Sequence, residues 1–208
     1  MQPMDRREHW NRVYQTKATD SVSWYQQRPD VSLELITSSG IAKDAGIIDI
    51  GGGASLLVDH LFDLGYTNLA VLDVAGSALS ACRSRLGARA AAVEWFEADV
   101  TSFEPPHRYA LWHDRAAFHF LTEAGDRARY VATLRKTLKP GGTAIIATFA
   151  LDGPPRCSGL DVVRYDEQSI AGELGAEFEL REVRRETHIT PGSAEQRFSY
   201  FRFERQLA

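Results

Sequence analysis

The sequence predicts a single α/β domain in which a mostly parallel sheet carries helices on both faces and ends in an antiparallel hairpin. Three observations lead there. Between residues 45 and 150, short apolar runs alternate with segments of helical periodicity, which implies parallel strands joined by right-handed crossovers. The run IIDIGGGASLLVDHLFDLGY (Ile47–Tyr66) passes from an apolar segment through Gly51-Gly52-Gly53 into a helix with Leu56, Leu57, His60 and Leu61 at helical spacing. Near the C-terminus, FELREVRRETHI (Phe178–Ile189) and AEQRFSYFRFER (Ala194–Arg205) alternate apolar and polar residues about the turn TPGS. That is the pattern of a hairpin, expected to finish the sheet with an antiparallel edge strand.

Taken in order, Asp5–Gln15 reads as a short helix with Trp10, Val13 and Tyr14 on one side, and the polar linker TKATDSVSWYQQRPD carries Trp24 and Tyr25. Asp30 is placed to cap a helix over Val31–Ser38. Strands follow at Ile47–Ile50, Leu69–Leu72, Val93–Glu97, Tyr109–His113 and Thr143–Phe149, with helices at Leu56–Leu64, Gly76–Leu86 and Asp126–Leu138. Within one domain spanning 1–208, residues 1–40 form an N-terminal helical segment or lid. Residues 45–150 form a ligand-binding core, and 151–208 a loop, a helix and the closing hairpin. The loop, LDGPPRCSGLDVVRYD (Leu151–Asp166), is long and rich in Gly and Pro, and such loops in compact domains are often lids or binding loops.

At 208 residues the chain can bury one sizeable core but not two generous ones. Its 44% hydrophobic and 25% charged residues are an ordinary soluble balance. A net charge of −4, without a long basic run, argues against a nucleic-acid partner. No run approaches about 18 apolar residues and none of signal-peptide length opens the chain, so no membrane partner and a cytoplasmic location are expected. Cys82 and Cys157 have no histidines at ligand spacing, so no metal is expected, and reduced thiols are expected over a disulfide.

The glycine turn bears most directly on function. A strand, a tight glycine turn and a helix N-terminus together accept a nucleotide-like ligand, and a Cβ at the turn would block close approach of the backbone. The dinucleotide pattern G-x-G-x-x-G fails here, because the sixth position from Gly51 is Leu56. What stands is Asp49-x-Gly51-x-Gly53-x-Ser55, with a carboxylate at the strand end that would repel a pyrophosphate and suits a cation. An amino-acid ammonium joined to a nucleoside is S-adenosylmethionine. The plain alternative is a turn that uses glycine only for packing. Against it, LAVLDV (Leu69–Val74) ends in Asp73, about 20 residues past the turn, where a Rossmann-type fold places the carboxylate for ribose hydroxyls. VEWFEADV (Val93–Val100) ends in Asp99, YALWHDRAAFHFL (Tyr109–Leu121) carries His113-Asp114-Arg115, and LKPGGTAIIATF (Leu138–Phe149) has a Pro-Gly-Gly turn before its strand.

Through these motifs the chain resembles the class I S-adenosylmethionine-dependent methyltransferases, whose first motif reads D/E-x-G-x-G-x-G/S. The resemblance covers nearly the whole chain. It implies a seven-stranded, mostly parallel Rossmann-like sheet with a C-terminal antiparallel hairpin, S-adenosylmethionine as methyl donor and S-adenosylhomocysteine as product. It also implies a cofactor site of Asp49, Gly51, Gly53, Ser55, Asp73 with Val74, and Asp99 with Val100, the last two meeting the adenine through the carboxylate and the backbone amide. His113, at the end of the fourth strand, and Trp24, whose ring can attract a sulfonium, complete the cofactor candidates.

Methyl transfer is an in-line displacement at an activated sulfonium, so positioning can carry much of the catalysis and a base serves only a protonated nucleophile. Asp114 and His119, near the carboxyl end of the fourth strand, are the catalytic candidates. Arg115 and Phe118 beside them, with Cys157 and Tyr165 in the late loop, are the substrate candidates. Each has a plainer reading: Arg115 pairing with Asp114, His119 packing in the next helix, Trp10 and Tyr14 as core. A covalent role for Cys157 is disfavoured, since methyl transfer needs no enzyme-bound intermediate.

The layout WNRVYQTKATDSVSWYQ followed by WHDRAAFHFLTEAGDRARY is similar to the thiopurine and thiol methyltransferases, although His113 interrupts their tryptophan-aspartate-arginine stretch. It is similar also to small protein-lysine methyltransferases, with Asp114-Arg115 where those often have aspartate-lysine-glycine. The absence of an asparagine-proline-proline-tyrosine motif disfavours amide or adenine N-methylation. A small-molecule acceptor is expected, with a protein substrate as alternative and a non-catalytic cofactor-binding scaffold as the reading of another class.

Overall fold

A computed structural model of the protein describes residues 5–207; residues 1–4 and 208, the outermost ends of the expected domain, lie outside the described residues. Helix α1 (Arg6–Thr16) is capped by Asp5, whose carboxylate accepts from the amides of Arg7 and Glu8. Helix α2 (Asp30–Ser38) departs from expectation at its start. Pro29 precedes it, with its carbonyl accepting from Leu33, and Asp30 lies in the first turn paired with Arg28 at 2.7 Å rather than capping. The alternating core then runs β1 (Ile47–Ile50), α3 (Leu57–Asp63), β2 (Leu69–Asp73), α4 (Gly76–Leu86), β3 (Val93–Glu97), β4 (Tyr109–Arg115), α5 (Ala124–Thr137) and β5 (Leu138–Phe149). The late loop holds a small ladder, β6 (Arg156–Cys157) with β7 (Leu160–Asp161), before α6 (Glu167–Leu174), β8 (Phe178–Ile189) and β9 (Glu195–Arg205).

Seven strands form one sheet in the order β3-β2-β1-β4-β5-β9-β8. Strands β1 to β5 pair in parallel, β9 runs antiparallel to β5, and β8 antiparallel to β9. The hairpin is present, but the strand antiparallel to the core is β9, second from the edge. Burial explains the order. β9 is apolar on both faces, with Phe198 and Tyr200 on one and Phe201 and Phe203 on the other, whereas β8 alternates charges that suit an edge. β5 begins at Leu138 rather than Thr143, because Leu138 pairs with Tyr109 before Pro140-Gly141-Gly142 loops out and pairing resumes at Leu111 and Thr143.

Helices α2, α3 and α4 cover one face of the sheet through Leu33, Leu57, Leu61 and Leu79, and α5 and α6 cover the other through Tyr130, Leu134, Ile170 and Leu174. Among the described residues no helix is long and apolar enough to cross a membrane. Chain order reverses between β1 and β4, which opens a crevice at their carboxyl ends.

Side-chain alternation along β4 divides its polar residues between the faces. Leu111, His113 and Arg115 point one way, and Trp112 and Asp114 the other. Asp114 is fully buried there: one oxygen accepts from the Ala117 amide at 2.8 Å, and the other from the Phe118 amide at 3.1 Å and the Tyr130 hydroxyl at 2.6 Å. Tyr130 in turn accepts from the Trp112 indole at 2.9 Å. Replacing Tyr130 by Phe should therefore cost about 1–3 kcal/mol, since a buried carboxylate and an indole N–H each lose a partner. Urea unfolding would measure it; a loss below about 0.5 kcal/mol would mean that Asp114 is satisfied without the hydroxyl.

Candidate active site

The turn after β1 is built around a buried carboxylate. Asp49 is 5% exposed, and its Oδ1 lies 2.7 Å from Nδ1 of His113, the residue opposite it on β4. Nε2 of His113 lies 2.9 Å from the Ser32 hydroxyl of α2, itself fully buried. Backbone space matches this arrangement. A Cβ at Gly52 would stand 2.5 Å from Oδ2 of Asp49. Gly53 has a φ of +45°, and a Cβ there would stand 2.8 Å from the Tyr14 hydroxyl and 2.9 Å from Oδ2 of Asp73. Ser55 lies two residues before the following helix, its hydroxyl accepting from the Leu57 amide at 3.1 Å.

Two cavities occupy the crevice and share four wall residues: Tyr14, Trp24, Gly51 and Arg115. The first is lined at one end by Asp73, Val74, Asp99 and Val100, and at the other by Trp10, Phe120, Cys157 and Phe198. The second lies against Asp49, Ser55, His113 and Ser32. Gly53 belongs to neither lining and sits between Tyr14 and Asp73.

The acids differ in surroundings. Burial pushes the Asp73 carboxyl up to about 7; the amides of Ala75, Gly53 and Val74 hold it back, and the nearby Asp49 adds to the rise. Burial also works to raise Asp99, but the Thr101 hydroxyl and amide, 2.7 and 2.8 Å from Oδ1, and the Arg6 guanidinium, 3.3 Å from Oδ2, outweigh it and hold the carboxyl below its ordinary range. Arg6 pairs with Asp126 as well.

The N-terminal segment lies over this crevice. From α1, Asn11 accepts from the Ser77 hydroxyl and amide, and Arg7 pairs with Glu97. Trp10 packs edge-on against Phe120 at 4.9 Å and Trp24 at 5.6 Å, and the Trp24 indole donates to Tyr14 at 3.3 Å. Arg115 reaches under the segment, donating to the Trp24 carbonyl at 3.0 Å and the Tyr200 hydroxyl at 2.8 Å.

The structure brings together Trp24, Asp49, Gly51, Ser55, Asp73, Val74, Asp99, Val100, His113, Arg115 and Cys157. Besides Gly53, which sits between Tyr14 and Asp73, four candidates fall outside both linings. Asp114 faces the opposite side of the sheet. His119 is fully buried between Phe120 and Phe149, and burial, with Arg115 nearby, lowers it to about 3, so it is a neutral core imidazole rather than a base. Phe118 and Tyr165 pack against each other, ring centres 5.3 Å apart, in the core beneath α5 and α6. Arg6, Ser32, Phe120 and Phe198 were missed, because each arrives by tertiary packing with no local motif to announce it.

Residues 47–142 match the family described as Methyltransferase domain. That stretch of the chain is a methyltransferase domain. Solved structures agree in fold. A structure from work on the conversion of a disulfide bond into a thioacetal group during echinomycin biosynthesis superposes with a TM-score of 0.79 at 16% identity, over 97% of this chain and 92% of that one. The Burkholderia thailandensis 1,6-didemethyltoxoflavin-N1-methyltransferase, with 1,6-didemethyltoxoflavin and S-adenosylhomocysteine bound, gives 0.73 at 18% identity, over 99% and 93%. The N-methyltransferase NodS from Bradyrhizobium japonicum WM9, in complex with S-adenosylhomocysteine, gives 0.71 at 14%, over 94% and 97%. No curated protein matches the sequence. Two of these neighbours hold S-adenosylhomocysteine, and this site fits the matching donor, S-adenosylmethionine: a glycine cradle that a Cβ would fill, beside carboxylates suited to an ammonium and to hydroxyl groups.

Gly53→Ala should place a methyl group against Tyr14 and Asp73 in a backbone conformation that alanine disfavours. Titration calorimetry with S-adenosylhomocysteine should show at least about tenfold weaker binding. Unchanged affinity would remove Gly53 from the cradle.

Proposed function

We propose that this methyltransferase transfers a methyl group from S-adenosylmethionine to a small molecule held beneath α1 and Trp24. The carrying observation is cover. Trp10, Trp24, Phe120 and Phe198 wall the acceptor end of the cavity, under α1, which favours a small, enclosed ligand over a macromolecular segment in an open groove. The Burkholderia neighbour, solved with 1,6-didemethyltoxoflavin bound, is in keeping with this. The protein-lysine alternative relied on Asp114 to orient an amine, and Asp114 is committed to Tyr130 and two amides on the far side of the sheet. Free Cys82 and Cys157 suit a reducing compartment, the cytoplasm.

Bound S-adenosylmethionine supplies an activated methyl group. Asp49, oriented by His113, offers a carboxylate to the ammonium, with Ser55 and the glycine backbone around it. Asp73, beside Val74, accepts from the ribose hydroxyls. Asp99 and the Val100 amide face the adenine, and the Trp24 and Tyr14 rings offer their faces to positive charge.

Two tests follow. Asp73 is protonated in the free protein below about pH 7, and hydroxyl donors favour its ionised form, so binding must expel a proton there. Affinity for S-adenosylhomocysteine should then fall below pH 7, by up to about tenfold per unit, and level off above it. Asp73→Asn should bind weakly and lose this slope; a flat wild-type profile from pH 6 to 8 would take Asp73 out of the ribose site. Separately, cell extract given protein and labelled donor should show label in the small-molecule fraction. Label concentrated in one protein band would overturn the small-molecule reading.

A further inference from the structure

Resting on the reading of Asp49 as the carboxylate for the donor's ammonium, the hydrogen bonds behind that carboxylate assign a role to a residue outside the glycine turn. Oδ1 of Asp49 is engaged by Nδ1 of His113 at 2.7 Å. Oδ2 accepts no side-chain hydrogen bond among the described residues, and Asp49 lines the second cavity.

The ring protons of His113 decide how much charge that carboxylate presents. A neutral imidazole has one donor and one acceptor nitrogen, whereas an imidazolium has two donors. Nδ1 faces a carboxylate oxygen, so it carries a proton; a bare nitrogen there would set two lone pairs against each other. Nε2, 2.9 Å from the Ser32 hydroxyl, is then either an acceptor or a second donor. The proton of Ser32 chooses between them. Ser32 is fully buried in the first turn of α2, and His113 is the one hydrogen-bond partner of its hydroxyl among the described residues. Farther along, the hydroxyls of Thr37, Ser38 and Ser39 donate to carbonyls three or four residues back, an outlet that Ser32 does not use. If Nε2 donated, the Ser32 proton would be stranded in the interior, which is costly. If Ser32 donates, both atoms are satisfied.

Charge favours the same arrangement. Besides His113, the charged residues lining the second cavity are Asp49 and Arg115. An imidazolium would set two cations against one carboxylate where an ammonium has to enter. The order serine, imidazole, carboxylate is also that of a nucleophilic triad. Here the serine is the fully buried end and the carboxylate keeps Oδ2 uncommitted, so the chain supports the carboxylate rather than activating the hydroxyl.

We propose that Ser32 is a positioning residue of the donor site. Its hydroxyl donates to Nε2 of His113 and fixes the neutral ring with its proton on Nδ1. That ring holds Oδ1 of Asp49 without cancelling its charge, and leaves Oδ2 to the ammonium.

Two measurements test this. Nitrogen-15 NMR of ring-labelled histidine, with His113 assigned through its bonds to the backbone, should show at pH 7 a protonated Nδ1 and a bare Nε2. Calorimetry compares S-adenosylhomocysteine with 5′-methylthioadenosine, which keeps the nucleoside and the sulfur but has no ammonium. Ser32→Ala should lose the single tautomer and bind S-adenosylhomocysteine at least about fivefold more weakly, with 5′-methylthioadenosine within about twofold of the wild type. A doubly protonated ring, or a proton on Nε2 alone, overturns the proposal from the wild type, whether or not the variant folds. A Ser32→Ala protein that keeps either the tautomer or full affinity for S-adenosylhomocysteine overturns it too, as does one that weakens both ligands alike, the sign of a general structural loss. Asp49→Asn reports on the reading beneath. It should weaken S-adenosylhomocysteine and spare 5′-methylthioadenosine; if it spares both, the ammonium assignment of Asp49 falls, and the proposal with it, even where the wild-type tautomer is as expected.

Discussion

Asp49 sits in the interior at the point where the sheet changes direction, and a carboxylate buried there is expensive unless its oxygens are met by donors. Meeting them constrains a large part of the chain. His113 must lie directly across from Asp49, which requires the observed register of β1 on β4. Ser32 must reach the far side of the imidazole, which fixes α2 against the sheet even though it is 81 residues away in sequence. Residue 52 must lack a side chain, because the space is taken by Oδ2 and by Val71. The carboxylate, the register, the helix position and the glycine are one solution to one desolvation problem, and the ligand crevice is its open side.

The fold was legible because it rests on periodicity, which a sequence displays directly. Alternation of strand and helix patterns placed β1 to β5, and the two-residue period marked the hairpin. The interior position of β9 was legible in principle: Phe198, Tyr200, Phe201 and Phe203 supply apolar residues to both faces, which an edge strand does not need. The site was legible where residues follow a strand end, as with Asp73 and Asp99. It was misread where neighbours in sequence were taken as neighbours in space. His113 and Arg115 share a face and so exclude Asp114, and the 3-10 turn at Phe118–Phe120 sends only Phe120 into the cavity wall while Phe118 and His119 enter the core. Arg6, Ser32 and Phe198 come from distant segments, and only the folded chain brings them in.

The N-terminal cover is fastened in two different ways. Carbonyls in the linker receive half-buried donors, Ser23 from His188 at 2.8 Å and Trp24 from Arg115 at 3.0 Å, and at an exposed position Gln27 faces Nε2 of His60 at 2.9 Å. Gln26 adds its amide to Glu186. These bonds tie the linker to β4, β8 and α3. Helix α1 packs through Trp10, Val13 and Tyr14, and its polar fastenings, Arg7 to Glu97, Arg6 to Asp99 and Asp126, and Asn11 to Ser77, are mostly at partly exposed positions.

Exposed ion pairs contribute about 0–1 kcal/mol each and weaken with salt, whereas hydrogen bonds shielded from water are lost only with the packing around them. The linker therefore behaves as part of the rigid wall, and the ion pairs of α1 are the fastenings that yield first. The Arg6 contact sharpens the point. It engages the same Asp99 oxygen that an adenine amino group would seek, since the other oxygen is already taken by Thr101. Because Arg6 keeps a second partner in Asp126, it can release Asp99 without losing every ionic contact. On the proposed reading, the linker and Arg115 keep their part of the acceptor wall meanwhile, whereas Trp10 moves with α1. Access for the donor and the shape of the acceptor end are then linked through Trp10, the residue that α1 packs against Trp24 and Phe120.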